Sequence, residues 1–94
     1  MSYEEFFKST GDKNPPEGVS ELLKSLWHEK SGSWDTAHRI AQEITTKEGS
    51  AVHAYLHRVE GDLGNAGYWY SRAGRDRFGG SIAEEWEALA KENL

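Results

Sequence analysis

Moving the chain along itself by 29 residues, the separation of Gly32 and Gly61, brings two segments into register without a gap. Leu23 then falls on Val52, Trp27 on Leu56, His28 on His57, Trp34 on Leu63 and Ala37 on Ala66. Each copy runs apolar stripe, glycine turn, capping residue, apolar residue, small residue. A helical unit of this size cannot bury its apolar face alone, so repeated units stack and share a core. The expected fold is therefore all-α: a right-handed stack of two antiparallel helix hairpins.

Periodicity assigns the helices. Ser20 caps a helix over 20–30, where Leu22, Leu23, Leu26 and Trp27 form one stripe. Ser33 caps a second over 34–45, with Trp34, Ala37, Ala41 and Ile44 on one face. A third is expected over 50–60, with Val52, Leu56 and Val59 inward. The fourth, over 63–73 and capped by Asp62, faces its partner with Leu63, Ala66, Gly67, Tyr70 and Ala73. Gly64 and Gly67 each cost roughly 1 kcal/mol against alanine in a helix, which suggests a neighbouring helix excludes bulk there.

Outside the hairpins, Ser81 and Glu84 form an S-x-x-E capping box that opens a last helix. Ile82, Trp86 and Leu89 are its buried stripe, and Glu84, Glu85, Glu87, Lys91 and Glu92 its wet side. Residues 3–9 form a turn or two of helix that must dock to exist. Pro15 and Pro16 break regular structure after it. The expected organisation is one domain over 1–94: an N-terminal segment and linker (1–18), hairpins (19–46 and 48–74) and a C-terminal capping helix (81–93).

The formal net charge of −5 argues against nucleic acid as a partner, because phosphate binding needs excess Lys and Arg. Cysteine is absent, which removes disulfides, thiolate metal sites and a thiol nucleophile. No apolar run approaches the ~20 residues that span a bilayer, and the start MSYEEFFKS lacks the basic and apolar regions of a signal peptide. A cytoplasmic protein without membrane association is the expectation.

The segment Gly61-Asp62-Leu63-x-x-Ala66-x-x-x-Tyr70-x-x-Ala73 resembles the second half of a tetratricopeptide repeat. The first copy keeps Gly32, Trp34 and Ala37 but has Ala41 and Ile44 where that pattern prefers Tyr and Ala. The first-helix Trp, Leu and Gly of the family are missing from both copies, and 29 residues is shorter than the usual ~34. The resemblance spans about residues 20–74 and implies stacked hairpins that bind a protein or peptide in a groove without catalysis.

Three groups of residues are candidates for function. His53, His57 and Glu60, spaced i, i+4, i+7, share one stripe of the third helix. Two imidazoles one turn apart can chelate a divalent metal, a carboxylate can complete the set, and His38 on the neighbouring helix is a further ligand candidate. The plainer alternative has His57 packing as His28 does and His53 in water. The second group is the outer stripe of the fourth helix, Asn65, Tyr68, Trp69 and Arg72, the aromatic and arginine chemistry of binding hot spots. Trp69 aligns with Ile40, so it is expected to be buried against the last helix near Trp86, or against Phe6 and Phe7. The third is a basic cluster, Arg58, Arg72, Arg75 and Arg77, which suits either an anion or salt bridges to Glu60, Asp62, Asp76 and the C-terminal glutamates.

No P-loop, G-x-G-x-x-G turn, H-E-x-x-H or nucleophile elbow is present. The leading expectation is a non-enzymatic interaction module without a cofactor. It would bind a protein or peptide, or a second copy of itself, through Tyr55, Arg58, Tyr68, Arg72 and Arg75. The alternative is a small metal- or anion-binding domain, with or without catalysis, built on His53, His57, Glu60 and nearby arginines.

Overall fold

Six helices and no strand make up the regular structure of the computed structural model, which describes residues 1–94. They are α1 (Tyr3–Ser9), α2 (Glu21–Lys30), α3 (Trp34–Gln42), α4 (Lys47–Val59), α5 (Leu63–Ala73) and α6 (Ile82–Asn93). Helices α2 and α3 form one hairpin and α4 and α5 the other; α3 joins them by packing on α4. Helix α6 lies across α2 and α4, and α1 packs on α6. No helix is long and apolar enough to cross a membrane.

The two hairpin turns close in the same way. The Gly32 amide donates to the Glu29 carbonyl and Ser33 to His28, at 3.1 and 2.8 Å. Gly61 donates to Arg58 and Asp62 to His57, at 3.0 and 2.9 Å. This is the Schellman pattern, and it needs a residue at positive φ, supplied by Gly32 (100°) and Gly61 (84°). Every partner in one turn is offset by the repeat distance from its counterpart in the other. Ser81 and Glu84 make the expected reciprocal capping box. Ser33 does not cap with its side chain; its hydroxyl bonds to Thr36 Oγ1 at 2.8 Å.

The connection between the hairpins departs from expectation. Helix α3 stops at Gln42, short of residue 45, and α4 starts at Lys47 rather than at 50. Thr46 is the cap, accepting from the Gly49 amide at 3.1 Å. Gly49 is not a breaker here. Ile44 folds back over it so closely that a Cβ at position 49 would collide with the Ile44 carbonyl.

The core holds Leu23, Leu26, Trp27, Ala37, Ala41, Val52, Leu56, Trp86, Leu89 and the docked Phe6. Phe6 stacks on Trp86 with centroids 5.7 Å apart. The Trp86 indole donates to the Leu26 carbonyl at 2.9 Å, and the Trp27 indole donates to Ser9 Oγ at 3.2 Å. These bonds fix α6 and α1 onto α2.

Several inward and outward assignments are corrected. Leu63 is 56% exposed and Ile82 41%, each as the first residue of its helix. Gly67 accommodates the Arg77 side chain rather than a helix, and nothing lies near Gly64. Glu85 is not on the wet side of α6: it is 2% exposed. Its carboxylate accepts from Tyr70 Oη at 2.6 Å and Arg58 Nη1 at 2.9 Å, while Arg58 Nη2 reaches the Gly80 carbonyl at 2.6 Å. Burial, and then the bond to Glu85, hold the Tyr70 hydroxyl well above the ordinary phenol range.

Removing one partner of a buried ion pair leaves the other charge uncompensated. Glu85→Ala is expected to lower the unfolding free energy by about 3 kcal/mol, at the low end for such pairs because Arg58 keeps some solvent. Glu85→Gln should lose less, since it can still accept from Tyr70. Urea unfolding of both variants measures this, and a loss below about 0.5 kcal/mol in Glu85→Ala, the scale of an ordinary surface substitution, would contradict the buried pair.

Candidate metal centre

One turn of α4 separates His53 from His57, so both imidazoles leave the helix on the side that meets α3 and α5. Across that seam α3 supplies His38, whose Nε2 is 2.9 Å from His53 Nε2. A ring nitrogen of each of the three histidines lies within 4.8 Å of the others. His53 and His57 are buried and His38 is half-buried.

Aromatic rings brace the cluster at both ends. Trp34, one turn before His38 on α3, stacks on it at 4.8 Å with planes 12° apart. Trp69 of α5 stacks on His53 at 3.8 Å and 14°. The Trp34 indole donates to the Leu56 carbonyl at 2.7 Å, which pins α3 to α4 beside the histidines. His53 and His57 stack on each other at 4.8 Å. The result is two stacked pairs, Trp34–His38 and His53–Trp69, that meet edge to face at His38 and His53 (84°), with His57 against their side.

The hydrogen bonds sort the nitrogens. Between His38 and His53 one Nε2 carries the proton and the other accepts it. His57 Nδ1 donates to Glu60 Oε1 at 2.6 Å. That bond orients the ring and leaves Nε2 as the His57 nitrogen able to take a metal. Glu60 groups with His57 and Asp62 and not with His53; the residue whose ring nitrogen lies with those of both His53 and His57 is His38. No carboxylate joins the three histidines within the same 4.8 Å.

Burial pushes His53 down to about 4, helped by the positive charge that His38 and His57 would carry nearby. Burial also lowers His38, with His57 the next cause and Glu60 and Asp35 opposing. Neutral imidazoles are the form that binds metals. In tetrahedral zinc sites with bonds of 2.0–2.1 Å, ligand nitrogens are about 3.3 Å apart. The 2.9 Å His38–His53 pair would open slightly to reach that separation.

The expected binding surface divides. Tyr55 is not on the surface: it is buried, and its hydroxyl donates to Glu29 Oε1 at 2.5 Å. Burial, ahead of that bond, raises its hydroxyl far above the phenol range. Arg58 is committed to Glu85 and Gly80, and Arg75 makes a two-pronged bond to Glu92 at 3.0 and 2.7 Å. For these two arginines the salt-bridge alternative is what forms. Tyr68 is 53% exposed and accepts from Arg72 Nη1 at 3.1 Å. Trp69 does not reach Trp86, Phe6 or Phe7; it is half-buried on His53, while the next residue of α5, Tyr70, is the one that meets α6 through Glu85.

Of the plainer alternative, the part that puts His53 in water fails, since His53 is buried; His57 is buried as a packing residue would be, edge-on to Trp34, but among other histidines. His28 meets Trp27 edge-on at 5.2 Å and no other histidine. The sequence reading did not assign Trp34 to the site, although its i, i+4 spacing to His38 matches that of His53 and His57 and was the signal available.

The burial of His53 makes the metal-free chain acid-sensitive. An unfolded histidine binds its proton near pH 6.5, whereas folded His53 refuses it until about 4. Between those values the unfolded chain holds more protons, so stability present above 6.5 is lost as pH falls toward 4. In chelator-treated protein the His53 ring protons are expected to titrate in NMR with a midpoint near 4. A midpoint at or above 6.5 would contradict the buried placement. Compared with protein-family models, curated proteins and solved structures, the chain matches none of them.

Proposed function

We propose that this chain is a small helical metal-binding module whose ligands are His38, His53 and His57. The observation that carries the reading is the convergence of imidazole nitrogens from two helices, with His38 and His53 at 2.9 Å. Three further features support it. Burial keeps His53 and His38 in the neutral form a metal needs. Glu60 backs His57 in the carboxylate–histidine arrangement common around metals. The Trp34 and Trp69 stacks hold the rings before any ion arrives.

The donor set indicates the class of ion. Three imidazoles and no thiolate favour Zn²⁺, Co²⁺, Ni²⁺ or Cu²⁺, and disfavour Mg²⁺ and Ca²⁺, which take oxygen ligands. This reading replaces the expectation of a cofactor-free interaction module, which loses Tyr55, Arg58 and Arg75 to contacts within the chain. Of that surface, Tyr68 and Arg72 still face solvent.

Calorimetric titration of chelator-treated protein with ZnCl₂ tests the proposal. One ion per chain is expected, with micromolar or tighter affinity of about −8 kcal/mol or better. His38→Gln, the mildest substitution because His38 is only half-buried, should weaken it by at least ~10-fold. Glu60→Gln should weaken it by about 10- to 100-fold through the orientation of His57. Circular dichroism establishes that each variant remains helical. Absence of zinc uptake by the wild type, or equal affinity in His38→Gln, would overturn the assignment.

A further inference from the structure

Away from the histidines, α5 and the segment that follows it enclose a recess of about 180 Å³. Leu63 and Ala66 of α5 line it, together with Tyr70 and with Phe78 from the segment between α5 and α6. Leu63 is 56% exposed and Phe78 half-buried, so this apolar lining opens to solvent. Arg58 and Arg77 complete the wall, and no carboxylate lines it. None of its residues belongs to the histidine centre.

The two cations differ in what they hold. Arg58 is committed to Glu85 and the Gly80 carbonyl. Arg77 enters no ion pair. The acids around it are engaged elsewhere: Glu85 by Arg58 and Tyr70, Glu84 by the Ser81 amide, Glu92 by Arg75 and Asp62 by Asn65. Asp76 lines a second, more polar groove that Arg77 also borders, and does not pair with it. Gly67 makes room for the Arg77 guanidinium against α5. A Cβ at position 67 would stand 2.4 Å from Arg77 Nη2 and 3.2 Å from its Cζ. Glycine weakens a helix, and here the missing methyl lets a free cation lie at the edge of an apolar recess.

We infer that this recess binds a small carboxylate with an apolar body, the body against Leu63, Ala66 and Phe78 and the carboxylate on Arg77. Small-molecule sites combine an apolar lining with a few placed polar groups, and both parts are present. The lining alone would take a neutral hydrocarbon equally well. The unpaired guanidinium selects an anion, and its planar fork matches a carboxylate. Covering the exposed parts of Leu63 and Phe78 adds the apolar share of the affinity. The volume suits a short acyl chain or a single ring. This site is independent of the metal reading, and neither depends on the other.

Amide NMR of the isotope-labelled, chelator-treated full chain, titrated with sodium hexanoate, tests the inference. Hexanamide keeps the apolar body without the charge, and acetate keeps the charge without the body. Hexanoate is expected to shift the Ala66, Gly67, Arg77 and Phe78 amides saturably, with a midpoint at least ~10-fold below that of either control. In Arg77→Gln the hexanoate midpoint should rise about tenfold, the lower end for a hydrogen bond to a charged group because Arg77 is exposed. Gly67→Ala, whose methyl displaces the guanidinium while favouring the helix, should also raise it. Amides that stay unshifted at these positions, or hexanamide binding as tightly as hexanoate, would overturn the carboxylate site. Acetate binding as tightly as hexanoate would overturn the role of the apolar recess. An unchanged midpoint in Arg77→Gln would overturn recognition by Arg77.

Discussion

Helix α4 is enclosed by α2, α3, α5 and α6, and every residue from Gly49 to His57 is buried. A helix surrounded in this way is expected to be apolar all round, yet α4 carries Ser50, His53, Tyr55 and His57 inside that buried run and Arg58 at its edge. Each polar side chain buried with it must find a partner within the protein, because water cannot supply one. The surrounding helices meet this demand in turn. Helix α2 offers Glu29 to Tyr55, α6 offers Glu85 to Arg58, and α3 offers His38 to His53. No buried side-chain nitrogen or oxygen is left without a partner. The polar side chains of α4 therefore orient the helices around it as much as its apolar stripe does.

That requirement explains which features were legible in the sequence. The hairpins were, since Gly32 and Gly61 mark equivalent turns and the stripes on either side repeat. The last helix was legible through Ser81 and Glu84. The start of α4 was not, because Gly49 reads as a breaker until Ile44 is seen folded over it. Glu85 was not either. On a helix with so many exposed acids, spacing alone does not single out the one that meets Arg58 and Tyr70.

The site was legible in the same partial way. His53 and His57 stand one turn apart on one helix, so their proximity follows from helical geometry alone. His38 reaches them only because α3 and α4 pack at a particular register, which depends on Ile44, Gly49 and the Trp34–Leu56 bond. Trp69 was expected to be buried near Trp86, Phe6 or Phe7, whereas it is half-buried on His53. Tyr70 and Ala73 of α5 go to α6 and the core, and Trp69, one position round the helix, falls on His53.

Each of His38, His53 and His57 is bonded or stacked within the chain, so the proposed ion would meet rings already held in place. Zinc-edge X-ray absorption of the chain loaded at one ion per protein tests the central claim most directly. It is expected to report three imidazole nitrogens and one further light ligand at about 2.0–2.1 Å. A first shell with two or fewer imidazoles, filled out by oxygens, would contradict a centre built from His38, His53 and His57.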